Sequence, residues 1–122
     1  MTQGEKRHFI RRESLHLLDY IVIDTNGISG RYSMGRTLDI SENGIKLETS
    51  HLLDIGDTLV VTVGLEEDLI DLQGNVTYSQ PHAGRFITGI EFFEISDDGR
   101  RIFKKYSEAF LKERSSSPQA DA

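Results

Sequence analysis

Apolar and polar residues alternate with a period of two through most of the chain, the pattern of strands with one buried face. The cleanest case is Thr58–Leu65, where Leu59, Val61, Val63 and Leu65 share a side. Ile45 to Glu48 repeats it briefly, with Ile45 and Leu47 facing one way and Lys46 and Glu48 the other. Leu15–Asp24 reads as a first strand, and Arg31–Ile40 as a second, more polar one in which Gly35 weakens the middle or marks a bulge. Leu69–Ser79 is a strand interrupted at Gly74, with Val76 and Tyr78 on one face, and Arg85–Glu94 is the last. Turn chemistry separates these segments. Asn26-Gly27 and Gly30 reverse the chain after the first strand, Asp39–Gly44 after the second, Ile55-Gly56-Asp57 before Thr58, and Gln80–Gly84 before Arg85. In the Asp39–Gly44 turn, Gly44 or Asn43 is the residue suited to a positive φ. Short strands at this spacing, with no helical pattern among them, predict an antiparallel barrel or sandwich.

The period changes after Ser96. Ser96 or Asp97 is placed to cap a helix, and Phe103, Tyr106, Phe110 and Leu111 fall on one helical face with Ile102 beside them. Lys112 and Arg114 complement the macrodipole at its far end. The expected organisation is an N-terminal arm at 1–13, flexible because it has few apolar groups, a barrel at 14–95 and a docked helix at 96–114. A small-residue polar tail, expected to be disordered, follows at 115–122.

A chain of 122 residues suits one domain. Lys and Arg total 14 against 20 Asp and Glu, a formal charge of 14 − 20 = −6. That balance argues against general nucleic-acid or membrane binding, which calls for a broad positive surface. With no cysteine there is no disulfide, thiolate nucleophile or Cys-based metal site. No apolar run approaches the ~20 residues of a membrane span, and the N-terminus lacks the apolar core of a signal peptide. The expected compartment is the cytosol. The four histidines (His8, His16, His51, His82) are scattered without metal-ligand spacing, and the acidic Glu66-Glu67-Asp68 tip reads as a solubility feature. Ser, His and Asp are all present, but no nucleophile elbow appears, so an enzyme is not expected. Asn75-Val76-Thr77 matches a glycosylation sequon, which has no use in a cytosolic strand.

Against this acidic body, Lys6-Arg7-His8-Phe9-Ile10-Arg11-Arg12 concentrates four permanent cations in seven residues. Guanidinium forks match phosphate oxygens or the O6/N7 edge of guanine and stack on bases, so a small anion is the fitting partner. Taken alone, the cluster is also what a solvated basic arm looks like. Asp39-x-Ser41-x-x-Gly44, taken alone, is a satisfied turn.

Together, Arg7-x-x-x-Arg11, a strand, a turn, a strand and Asp39-x-Ser41-x-x-Gly44 resemble a PilZ domain, a receptor module for the bacterial second messenger cyclic di-GMP. Gly89-Ile90-Glu91-Phe92 resembles the Gly-x-x-Phe of the family's last strand, and the resemblance covers residues 5–112. Ile10 departs from the proline that often precedes the second arginine. The resemblance implies a six-stranded antiparallel β-barrel of split-barrel type plus a C-terminal α-helix, binding cyclic di-GMP through Arg7, Arg11, Asp39, Ser41 and Gly44. Lys6, Arg12 and Gly89 are further candidates, Lys6 at a position that affects ligand stoichiometry in the family. No cofactor or metal is implied. Arg7 and Arg11 suit phosphate, the guanine Hoogsteen edge and the purine face; Asp39 suits the N1–H and N2–H₂ donors of guanine; Ser41 donates to phosphate or base. The expected function is a non-catalytic cytoplasmic receptor that orders residues 5–13 over the ligand and signals to an unidentified protein partner, since the chain is little more than the domain. Two other readings stand beside it. One is a PilZ-like scaffold that binds only protein. The other is an OB-like single-stranded nucleic-acid binder, against which stand the acidic charge and the lack of an evident aromatic platform on the strands.

Overall fold

The computed structural model describes residues 17–65 and 67–116, so the Lys6–Arg12 cluster lies outside the described residues. Six strands and one helix follow one another: β1 Leu17–Ile23, β2 Ser29–Ile40, β3 Gly44–Thr49, β4 Thr58–Leu65, β5 Asp68–His82, β6 Arg85–Phe92 and α1 Asp97–Ser116. Every pairing is antiparallel, and the order β1-β2-β3-β6-β5-β4 closes because β4 also pairs with β1. Closure leaves no free sheet edge, which is how a small all-β domain avoids edge-to-edge association. The expected barrel with a C-terminal helix is the architecture found.

The inward residues are those the alternation selects. Leu18 and Tyr20 from β1, Ile45 and Leu47 from β3, Leu59, Val61 and Val63 from β4, Leu72 and Val76 from β5, and Ile90 from β6 form the core. α1 docks its Phe103, Tyr106 and Phe110 stripe on this core, each such burial contributing about 1.5–3 kcal/mol. Phe103 meets Phe92 edge-on at 5.2 Å, and the Tyr106 hydroxyl pairs with Thr37 at 3.0 Å. Burial, offset in part by the Thr37 bond, pushes the Tyr106 phenol up to about 12. Ser96 Oγ accepts the Gly99 N–H at 2.9 Å, making Ser96 the N-cap. Leu111 departs from its expected place: it is 47 % exposed. It follows Phe110 by one residue, about 100° further round the helix, and so falls on the flank of the buried stripe.

Two turns also differ from the pattern reading. β5 continues through Pro81 and His82, paired with Phe86 and Arg85, so the reversal is only Ala83-Gly84. Both turn residues have positive φ (50° and 83°), the conformation a two-residue hairpin needs to match strand twist. Pro81 and Gly84 punctuate the sequence so strongly that they masked the strand around them. At the acidic tip, Asp68 starts β5 and pairs with Lys105 of α1 at 2.6 Å, which holds its carboxyl below the ordinary range. Asp68 thus ties the helix to the barrel wall. Among the described residues no helix is long and apolar enough to cross a membrane.

Candidate functional site

The β2–β3 turn is fixed from three directions. Ser41 N–H donates to the Gly44 carbonyl at 3.1 Å, and the Asn43 carbonyl accepts the Phe92 N–H at 2.8 Å. Arg100 of α1 donates to Asn43 Oδ1 at 3.3 Å. Neither Asn43 nor Gly44 has a positive φ, contrary to the turn chemistry expected of them. Gly44 is required for a different reason: a Cβ there would lie 2.5 Å from the Ile90 carbonyl oxygen and 3.4 Å from Ser41 Oγ. The glycine lets β3 close on β6 while the turn keeps Ser41 beside it.

Asp39 owes its direction to a β-bulge. Thr37 is buried opposite Leu47, and strict alternation would send Asp39 inward after it. The register slips between them, so Asp39 stands opposite Lys46 and faces outward. Its Oδ1 accepts the Ile40 N–H at 2.9 Å. The bulge at Leu38 replaces the one that Gly35 suggested. Gly35 instead makes room inside, where a Cβ would meet the Tyr20 ring and the Glu48 carbonyl, each at 3.2 Å.

β5 carries a matching bulge. Val76 is buried opposite Ile90, and Tyr78 stands opposite Gly89, so Thr77 is the extra residue. Thr77 Oγ1 donates to the Gly89 carbonyl at 3.2 Å, tying the bulge down. Val76 and Tyr78 are therefore not on one face, as plain alternation has them: Tyr78 is turned outward. A Cβ on Gly89 would come within 2.3–2.8 Å of three Tyr78 ring carbons, so the ring lies directly on bare backbone.

Asp39, Lys46, Gly89 and Tyr78 thus form one outward row across β2, β3, β6 and β5. With Ser41 and Thr77 they line a groove of about 210 Å³. Two more hollows adjoin it: one of about 400 Å³ along Asn43, Gly44 and Glu91, and one of about 440 Å³ between the turn and Phe103, Lys104 and Leu111 of α1. Ser41 lies on the wall of all three. Lys46 is half-buried, and its ammonium has no hydrogen bond or ion pair among the described residues. Among those residues no three His, Asp or Glu side chains converge as metal ligands would.

Four of the residues singled out in the sequence, Asp39, Ser41, Gly44 and Gly89, are therefore brought together, while Lys6, Arg7, Arg11 and Arg12 lie outside the described residues. β1 is described from Leu17, opposite Arg36 and just short of Asp39 along β2, so this end of β1 lies beside the groove. Lys46 and Tyr78 were not singled out. Lys46 was legible as outward-facing, whereas nothing local marks the bulge that turns Tyr78.

Comparison with known proteins agrees with the architecture. The PilZ domain of YcgR from Escherichia coli, solved with c-di-GMP, superposes with a TM-score of 0.55 at 14 % identity, covering 85 % of this chain and 88 % of that one. MrkH of K. pneumonia gives 0.56 at 21 % identity, covering 91 % of this chain and 49 % of that one. A tetrameric PilZ protein of Xanthomonas campestris gives 0.55 at 16 %, covering 72 % and 50 %. The aligned regions are about half the length of the last two proteins. No curated protein matches the chain in sequence. The PilZ family profile, however, matches residues 5–109, from the arginine cluster through the barrel and most of α1, and on that match the chain belongs to the PilZ domain family.

Proposed function

We propose that this protein is a non-catalytic receptor for cyclic di-GMP, bound at the groove beside the β2–β3 turn. The observation that carries the reading is the placement of Asp39 and Ser41, in a PilZ chain, on one groove of the barrel wall beside the start of β1 at Leu17. A PilZ domain of the same fold, that of YcgR, has been solved with this ligand. Asp39 offers an acceptor to N1–H and N2–H₂ of guanine, a donor pair adenine lacks, and Ser41 donates to phosphate or base. Arg7 and Arg11 supply charge-assisted bonds and stacking, with Lys6 and Arg12 adding to the field. Leu17 lies six positions beyond Arg11 and ten beyond Arg7, an extended reach of roughly 20 and 33 Å, enough to bring both guanidiniums to the groove.

In this reading an anionic ligand cancels the repulsion within Lys6–Arg12 and gives Arg7 and Arg11 a common partner. The arm then orders over the ligand, with Phe9 and Ile10 against the barrel rim, and creates a surface that a downstream protein reads. Calorimetry with cyclic di-GMP beside GMP, cyclic di-AMP and a single-stranded oligonucleotide tests the ligand. Preferential binding of cyclic di-GMP supports the reading; binding of the oligonucleotide alone, or of nothing, overturns it. Trypsin tests the arm: cleavage after Lys6, Arg7, Arg11 or Arg12 slows when cyclic di-GMP is bound. Equal rates with and without ligand rule out ordering of the arm.

A further inference from the structure

We infer that Tyr78 and Lys46 form the floor of the nucleotide site, the Tyr78 ring as a stacking shelf for a guanine base and the Lys46 ammonium as a fixed partner for a phosphate. The inference rests on the proposed cyclic di-GMP reading and adds two residues to it.

Two independent bulges carry the argument. Without the one at Leu38, Asp39 would point into the barrel, and without the one at Thr77, Tyr78 would do the same. Both residues are instead delivered to the same outward row, on strands separated by β3 and β6. Bulges that re-aim side chains are a recurrent device beside binding sites, and here two of them converge on one groove.

The chemistry of the row matches the ligand. A tyrosine ring packed against glycine backbone is held in place on the groove wall, which suits it to receive a planar base. Its hydroxyl has no hydrogen-bond partner among the described residues, so no internal bond explains its outward turn. Lys46 stands between Asp39 and Gly89 in the row, half-buried and unpaired among the described residues. A lysine on the wall of this groove offers a point charge to an anion bound there. Asp39 lies on its other side, so a guanine reaching Asp39 would carry its phosphate past Lys46.

Aromatic cover of a strand glycine can also serve sheet stability alone. The two roles separate on titration of wild type, Tyr78→Leu, Tyr78→Phe and Lys46→Met with cyclic di-GMP and cyclic di-AMP, each variant checked by its thermal unfolding. Stacking is tolerant of base identity, so Tyr78→Leu loses roughly tenfold in affinity for both ligands, and Tyr78→Phe recovers it. Lys46→Met loses affinity for both and makes the remaining binding less sensitive to salt. If wild type binds and a folded Tyr78→Leu binds equally well, Tyr78 is only cover for Gly89 and the shelf is wrong. Unchanged affinity and salt dependence in Lys46→Met removes the phosphate role. Should wild type bind neither nucleotide, the receptor reading fails, and this inference fails with it.

Discussion

Gly44 and Gly27 both occupy turns, and the structure gives them opposite reasons for being glycine. Gly27 has φ +81° and nothing within 4 Å of where a Cβ would sit, so its constraint is torsional. Gly44 has an ordinary φ, but a Cβ would meet the Ile90 carbonyl at 2.5 Å, so its constraint is steric. Relief at Gly44 requires β3 and β6 to part by several tenths of an ångström at the Ile45–Ile90 register, where both partners are buried. Overpacking of this kind costs about 1–3 kcal/mol, and the atom struck is backbone, which cannot swing aside as a side chain can. Taking about 2 kcal/mol in a domain of this size, Gly44→Ala lowers Tm by roughly 8 °C.

Gly27→Ala also costs about 1–2 kcal/mol, from the left-handed conformation. Asparagine separates the two causes, because it tolerates positive φ but is larger than alanine. Gly27→Asn therefore recovers most of the loss, while Gly44→Asn is at least as damaging as Gly44→Ala. Urea denaturation of the four variants gives the comparison directly. Gly44→Ala also displaces Ser41, whose N–H donates to the Gly44 carbonyl, so ligand affinity falls together with stability. A Gly44→Ala variant within about 0.5 kcal/mol of wild type, or a Gly44→Asn variant as mild as Gly27→Asn, would refute the steric account.

Three further outcomes are expected. Arg7→Ala and Arg11→Ala each weaken cyclic di-GMP binding by at least ~1.5–3 kcal/mol, measured by calorimetry, and leave the ligand-free Tm almost unchanged; near-wild-type affinity in both places the site elsewhere. Asp39→Ala lowers affinity and also narrows the preference for cyclic di-GMP over cyclic di-AMP, whereas the arginine variants lose affinity with less change in preference. Selectivity unaltered by Asp39→Ala leaves Asp39 to the turn alone. Tyr106 makes stability sensitive to alkali: its folded pKa of about 12 exceeds the unfolded value near 10, so the neutral phenol favours folding. That contribution is complete below pH ~10 and is lost as pH rises toward ~12, on the order of 2–3 kcal/mol in all. Urea midpoints across this window fall less steeply in Tyr106→Phe, and an equal fall in both proteins would assign the alkaline loss to other groups.

How far the fold can be read from the chain depends on whether the deciding interaction is local. Leu59, Val61 and Val63 announce β4 because alternation over a few residues suffices, and all three are fully buried. The Asn26-Gly27 turn is legible for the same reason: Gly27 takes φ +81°, and the Asp24 carboxylate accepts the Asn26 and Ile28 N–H groups at 2.9 and 3.0 Å. Phe103, Tyr106 and Phe110 mark the buried side of α1, but the edge of that stripe depends on the shape of the barrel beneath, and Leu111 was misplaced there. The reason for Gly44 was hidden because the obstructing atom belongs to Ile90, far along the sequence and adjacent only through the β3–β6 register.

The two outward residues of the groove separate local from long-range information most sharply. Period-two alternation carries no mark of an inserted residue, because a bulge is a mismatch between two strands rather than a property of either one. Asp39 could be found regardless, since turn chemistry and spacing from Arg11 single it out whichever way it points. Tyr78 had only alternation to place it, and alternation sets it inward beside Val76, so its membership of the groove was invisible. The partner that reverses this is Gly89, which was noted for its spacing from Phe92 but whose bare backbone is what the Tyr78 ring occupies. A glycine paired across a barrel wall with an aromatic residue is therefore evidence about the parity of the aromatic strand: were Tyr78 inside, its ring would compete for space with Ile90 and Val76, and Gly89 would have an open outer face.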